Sequence, residues 1–242
     1  MTVLQPKDSE SVSCRFAAEL KNDVLLRLYT QFDIGLFIPG RECRTCSHTK
    51  ELIQEVSALS PRITLEIIDY HKNLEEAANL GIDRIPAIVI VKGDLHNVRF
   101  FGMPSGFEFA VLLDSIIDST KKKSSLQLDT RRHLKDLNED VYIKVFVTPD
   151  CKYCPTVARL AHMMAIESPK VTADVIEVRE FPDMASVYHV MGVPKTIIND
   201  SVTFTGPVTE EELLQRILES VGSAYPDENI TGSDVNRTTP VG

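Results

Sequence analysis

The 242-residue chain contains no tryptophan, few aromatic residues (7%) and only five cysteines. No apolar run approaches the roughly 20 residues needed to cross a bilayer, which excludes a membrane-spanning helix and any membrane partner built on one. Positive charge is also short. Lysine and arginine number 26 against 35 acidic residues, a net charge of −9. A general nucleic-acid binder shows a basic face, so nucleic acid is not an expected partner. The opening Met-Thr-Val-Leu-Gln-Pro-Lys-Asp-Ser-Glu lacks the apolar centre of a secretory leader, which points to a cytoplasmic location. Without export, Asn229-Ile-Thr231 and Asn236-Arg-Thr238, which match a glycosylation pattern, carry no meaning. In a reducing compartment, paired cysteines are more often catalytic or metal-binding than structural staples.

Four of the five cysteines fall into two Cys-x-x-Cys pairs. Cys151-Lys-Tyr-Cys154-Pro155 follows the β-branched and aromatic run Val145 to Val147 and the turn formers Thr148, Pro149 and Asp150. After it the apolar spacing turns helical, through Val157, Leu160, Ala161 and Met164. Two cysteines so spaced at a helix start can close a small disulfide ring. The first lies where unpaired backbone N–H groups and the helix dipole stabilise a thiolate. Cys43-Arg-Thr-Cys46 repeats the arrangement, after an apolar run (Ile34, Leu36, Phe37, Ile38) and before Leu52, Ile53, Val56 and Leu59.

The displacement between the pairs is 151 − 43 = 108, and it recurs. Ser60-Pro61 matches Ser168-Pro169, and Ile85-Pro86 matches Val193-Pro194, at that same offset. A register kept without a gap over this distance indicates an internal duplication. At 242 residues the chain accommodates two units of about 120 residues, each able to bury a core. The expected divisions are 1–121, 122–222 and a polar, loosely ordered tail over 223–242. Lys121-Lys122-Lys123 and Arg131-Arg132 are the only basic runs and read as a solvated connection.

Phe16, Leu20, Val24 and Leu28, spaced by four, predict an amphipathic helix over 13–29. A strand, the first cysteine helix and a strand over 63–68 follow. Next come a short helix over 73–80 ended by Gly81, a hairpin through Lys92-Gly93-Asp94, and a helix capped by Ser105. The second half repeats the order. A helix over 129–138 and a strand over 141–147 lead to a cysteine helix ending near Ile166 and a strand over 171–178. After a short helix over 183–190, strands joined at Asn199-Asp200 run to a last helix capped by Thr209. The fold class is α/β.

Cys-x-x-Cys within β-α-β, followed 43 residues later by a proline before a hairpin and a final helix, resembles a thioredoxin-fold unit. Two in tandem, over roughly 13–222, resemble the protein disulfide oxidoreductases of archaea and thermophilic bacteria, relatives of glutaredoxin and protein disulfide isomerase. Cys-Lys-Tyr-Cys-Pro is close to the glutaredoxin motif. The resemblance implies two tandem thioredoxin-fold units, each a central mixed sheet flanked by helices. It implies dithiol–disulfide exchange on disulfide-bearing protein substrates, no bound cofactor, and a flavoprotein thioredoxin reductase as electron donor. Cys43 and Cys151 would attack and Cys46 and Cys154 resolve, with Cys151/Cys154 the more active pair. The prolines matching Pro86 and Pro194 are cis in that family. Beside the disulfides, Ile85 and Val193 would offer backbone to an extended substrate strand.

This chain departs from thioredoxins in two ways. It lacks their tryptophan, and six positions before each first cysteine, where they carry a buried acid, it has Phe37 and Val145. Lys144 should point to the opposite face of its strand. Arg41, Arg44 and Lys152 favour a thiolate, whereas Glu42 and Asp150 oppose it. No metal site is expected. Zinc ribbons separate their cysteine pairs by about 15–20 residues, and these pairs are over a hundred apart. His48, His162 and His189 read as ordinary helical or surface residues, and Cys14 as a half-buried thiol. Tyr153 reads as packing beside the second disulfide, Tyr70 and Tyr142 as core or rim. The rival functions are a dedicated electron carrier to a peroxidase and a non-catalytic adaptor or holdase of the same fold.

Overall fold

A computed structural model describes residues 3–32 and 43–222. The chain runs α1 (Pro6–Glu19), β1 (Val24–Thr30), α2 (Cys46–Ala58), β2 (Ile63–Asp69), α3 (Leu74–Asn79), β3 (Ala87–Lys92), β4 (Leu95–Phe101) and α4 (Phe107–Ser119). It continues through α5 (Leu128–Lys135), β5 (Val141–Val147), α6 (Cys154–Glu167), β6 (Val171–Glu177), α7 (Pro182–Val187), β7 (Lys195–Ile198), β8 (Val202–Thr205) and α8 (Glu210–Ser220). The two halves share one eight-stranded sheet of order β2-β1-β3-β4-β6-β5-β7-β8. β3 and β7 run against the other six strands. β1 and β5 are therefore parallel, and both chain segments leave them at the same edge of the sheet.

The strands alternate apolar residues between two faces, and each face has its own core. Val24, Leu26 and Leu28 of β1 join Phe16 of α1, Ile53 of α2, Ile116 of α4, Val157 of α6 and Leu213 of α8 on one side. Tyr29, Val89, Phe101, Phe146 and Ile176 face the other side, covered by Ala77 of α3 and Met184 of α7. The units are joined where β4 pairs with β6, Val98 to Phe101 against Ala173 to Ile176. Arg99 and Asp174, opposite each other there, form a buried ion pair at 2.5 Å. Tyr142 donates its hydroxyl to the same carboxylate. Asn97 donates to the carbonyls of Ala165, Ser168 and Val171. His162 of α6, fully buried, pairs with Ser115 of α4 at 2.7 Å and lies 3.1 Å from the carbonyl of Arg99. Burial lowers its pKa to about 4, so it is neutral in the native state.

Four sequence expectations need correction. The predicted helix over 13–29 is a helix ending at Glu19 followed by a strand from Val24. Leu20 is already extended, and Asn22 is tied to the carbonyl of Thr120 at 2.6 Å. The cap of α4 is Gly106 rather than Ser105, with φ +57. A Cβ there would sit 2.3 Å from the carbonyl oxygen of Pro149, so only glycine lets the helix start so close to that loop. Cys14 is exposed rather than half-buried. Arg131 and Arg132 belong to α5, not to a connection. Asn199 and Asp200 both take positive φ at the centre of the turn that the Ser201 N–H closes onto the Ile198 carbonyl, in the three-residue connection between β7 and β8. Thr209 closes a full capping box with Glu212. The apolar run 34–38 and the tail from 223 lie outside the described residues.

Candidate redox sites

Each cysteine pair is joined as a disulfide at the head of its helix, with Cα atoms 5.4 Å apart in both. Cys46 and Cys154 are buried in the first turn of α2 and α6, while Cys43 and Cys151 are partly exposed. The Ile85–Pro86 and Val193–Pro194 bonds are cis. Cys43 Sγ lies 3.7 Å from the carbonyl oxygen of Ile85, which brings the first pair together with its proline loop. At the second pair the backbone N–H of Cys154 donates to Cys151 Sγ at 3.1 Å. The same helix-start N–H also donates to the Cys151 carbonyl at 3.4 Å, and it is placed to stabilise a thiolate on the outer sulfur. Val193, before the second cis proline, packs against both cores.

β1 and β5 are separated by β3, β4 and β6, about 19 Å at the usual interstrand spacing, and each pair follows its own strand at the same end of the sheet. Four thiolates around one zinc ion require Zn–S distances of about 2.3 Å, so the pairs do not form a common metal centre. Among the described residues no group of three or more His, Cys, Asp or Glu side chains is arranged to hold a metal.

The offset of 108 holds from the cysteines to the strand after each cis proline: β2 and β6 (63 + 108 = 171), α3 and α7 (74 + 108 = 182) and β3 and β7 (87 + 108 = 195) coincide at it. It shortens in the next strand, since Ala87 opposes Phe101 and Lys195 opposes Thr205, 205 − 101 = 104. It also fails upstream of the cysteines. Thirteen positions separate Thr30 from Cys43, but four separate Val147 from Cys151. By register, Leu28 pairs with Ile67 and Ile88 as Val145 pairs with Val175 and Thr196. Leu28, not Phe37, is thus the counterpart of Val145; Phe37, Arg41 and Glu42 lie outside the described residues. Both strand positions are fully buried and apolar. Lys144 faces the other side, beneath the rings of Tyr142 and Tyr188 and paired with Asp200 at 2.7 Å.

A buried carboxyl from another element lies beside the loop that leads to the second pair. Phe107 donates its backbone N–H to the carbonyl of Pro149 at 3.0 Å, so the first turn of α4 abuts the loop before Cys151. Glu108, next in that turn, is fully buried, and neither carboxyl oxygen has a hydrogen-bond partner among the described residues. Burial, reinforced by the nearby Glu177 and Glu180 carboxylates, pushes its pKa up to about 9, so it is protonated at neutral pH. Asp150 is not an isolated charge. Arg179 grips both its oxygens at 2.7 and 2.9 Å and holds its pKa below the ordinary value. Lys152 lies over the ring of the exposed Tyr153. His48 is exposed on α2.

The first disulfide borders a cavity of about 510 Å³ lined by Cys43, Arg44, Thr45 and Ile85 together with Arg179, Glu180, Phe181 and Pro182 of the second unit. The larger concavity, about 960 Å³, includes neither cysteine pair in its lining. Its buried ionic groups are already matched, Arg99 with Asp174 and Lys144 with Asp200.

A thioredoxin domain family model matches residues 141–219. The protein disulfide oxidoreductase of Aeropyrum pernix superposes with a TM-score of 0.81 at 26% identity, over 93% of this chain and 97% of that one. The chain is a tandem thioredoxin fold. Its resemblance to a protein disulfide oxidoreductase extends over both units. The alkylhydroperoxide reductase component AhpF from Enterococcus faecalis shares the fold, with a TM-score of 0.78 at 22% identity over 88% of this chain and 99% of that one. The corresponding alkyl hydroperoxide reductase component of Staphylococcus aureus is 26% identical over 186 residues, 77% of this chain and 34% of that protein. The chain thus spans about a third of the length of the curated relatives it matches. Two helix-start disulfides on this scaffold can carry thiol–disulfide exchange. No helix among the described residues is long and apolar enough to cross a membrane.

Proposed function

We propose that the chain is a dithiol–disulfide oxidoreductase acting on protein disulfides through Cys43/Cys46 and Cys151/Cys154. The observation that carries this is the pairing of two helix-start disulfides with two proline loops at one end of the sheet. In the reducing direction, the Cys151 thiolate attacks one sulfur of a substrate disulfide. A mixed disulfide forms and one substrate thiolate leaves, to be protonated. Cys154, as thiolate, then attacks Cys151 Sγ, the second substrate thiolate leaves, and two electrons have passed to the substrate. Reduction of the resulting Cys151–Cys154 bond by an external dithiol releases Cys154 as a thiolate. The protonated Glu108, on the helix that meets the loop before Cys151, serves as the buried proton source for that step and takes the proton back on oxidation. The Ile85 and Val193 backbones hold an extended substrate segment alongside Cys43 and Cys151.

Cys151/Cys154 is the dominant pair, because its outer sulfur already receives a helix N–H and its neighbour Asp150 is neutralised by Arg179. The unit boundary falls at 121/122, between α4 and α5. The protein works in the cytoplasm, and its electrons come from a flavoprotein reductase of the thioredoxin reductase kind. The similarity to AhpF of alkyl hydroperoxide reductase favours a second reading, a carrier dedicated to one peroxidase. Dithiothreitol-driven reduction of insulin by the wild type, Cys43→Ser and Cys151→Ser tests the proposal. Turnover that falls more than tenfold in Cys151→Ser and less than threefold in Cys43→Ser supports it. No turnover in any of the three folded proteins contradicts a general protein disulfide reductase and leaves the dedicated carrier.

A further inference from the structure

The loop following β6 sits beside the C-terminal end of β4 because those two strands are parallel neighbours, and from there it reaches the first redox site. Its conformation is set by Glu177, whose carboxylate accepts the backbone N–H groups of Arg179 at 3.2 Å and Glu180 at 2.8 Å. Glu180 then accepts the Thr45 hydroxyl, across 135 residues of sequence, and the backbone N–H of Met103 at 2.7 Å. Thr45 lies between Cys43 and Cys46, so one carboxylate of the second unit is bonded inside the first motif. Room for it depends on Gly102, which has φ +100. A Cβ there would lie 2.9 Å from Glu177 Cβ and 3.1 Å from a Glu180 oxygen.

We propose that Glu180 is a positioning residue of the first redox site, supplied by the second unit, and that it holds Cys43 in a less thiolate-rich, more reducing state. The proposal rests on the redox reading of the first pair. A carboxylate beside a thiol disfavours the thiolate, and a less stable reduced form makes the disulfide harder to reduce. The other charged groups lining the Cys43 cavity are Arg44 and Arg179. Arg179 directs its guanidinium to Asp150, while His48 is exposed further along α2. The arrangement is one-sided. The segment at the same offset in the first unit, 71–74, follows the edge strand β2 at the far end of the sheet, away from the second site.

The test is the pH profile of iodoacetamide alkylation of the fully reduced chain, resolved by peptide mass spectrometry into its individual cysteines. Glu180→Gln should lower the midpoint for Cys43 by about half to one unit, a three- to tenfold faster reaction at pH 6.5, and leave Cys151 unmoved. Glu180→Asp, which keeps the charge, should stay close to wild type. An unchanged Cys43 midpoint in Glu180→Gln, or an equal shift at Cys43 and Cys151, would overturn the proposal. A shifted midpoint together with a first pair that never exchanges with a substrate disulfide would overturn only the redox reading on which it rests.

Discussion

The first redox site is bordered by a loop of the second unit, whereas the second site is abutted by a helix of the first. Each borrows a carboxyl from the other half, in opposite states. Glu180 sits on the rim of a cavity and accepts two hydrogen bonds, one from the Cys-x-x-Cys motif itself. Glu108 is buried, neutral and without a hydrogen-bond partner among the described residues. A charged neighbour works against a thiolate; a neutral acid can supply a proton to one as it leaves. Duplication would leave two equivalent sites. The parallel pairing of β4 with β6 removes that equivalence, because each unit then has a different side exposed to its neighbour. The asymmetry is a product of the junction rather than of the motifs.

Loosening that junction should have the greatest consequence. Arg99→Met leaves Asp174 buried without its cation and should cost about 3–5 kcal/mol in urea unfolding. Loss of stability below about 1 kcal/mol would mean the ion pair does not hold the units in register. Next in size is Gly106→Ala, which forces a side chain against the Pro149 carbonyl at positive φ and should cost about 3 kcal/mol. Its effect on alkylation should concentrate at Cys151 and spare Cys43.

Glu108→Gln probes the contrast between the two carboxyls through pH. The Glu108 pKa is raised in the folded state, so the unfolded chain holds fewer protons between about 4.5 and 9. The stability associated with this group is full below the lower limit and falls as pH rises through the window. The wild type should therefore lose on the order of 3 kcal/mol relative to Glu108→Gln between pH 5 and pH 8, measured by denaturant unfolding. Parallel pH profiles for the two proteins would place an ionised carboxylate at 108. Asp150→Asn should do least. Its charge is already met by Arg179 on an exposed surface, so Cys151 alkylation should change by less than about twofold.

The segment from each cysteine pair to its proline was legible because cysteine spacing, turn prolines and apolar pattern all repeat at one offset. Upstream of Cys43 the sequence misleads for a physical reason. Phe16, Leu20, Val24 and Leu28 are spaced by four, and four is close to a helical turn and also twice the strand period. Phe16 faces the core from a helix, while Val24 and Leu28 face it from a strand with Leu26 between them. Asn22-Asp23, a pair of turn formers, was the signal that separates them. Glu108 and Glu180 were not legible at all. Each sits at an ordinary polar position, and its setting is created by a loop or helix tens of residues away. His162 was missed likewise, since Ser115 and the Arg99 carbonyl meet it only after the two units are joined.

Whether both pairs are redox-active is decided by equilibrating the whole chain across a series of reduced to oxidised dithiothreitol ratios. Acid trapping, alkylation and peptide mass analysis then count the thiols at Cys43/Cys46 and at Cys151/Cys154, with Cys14 as a constant reference. Both pairs should pass reversibly between no free thiol and two, as separate two-electron steps at different ratios. A pair that remains oxidised or reduced throughout, in a folded protein, would contradict two working redox sites.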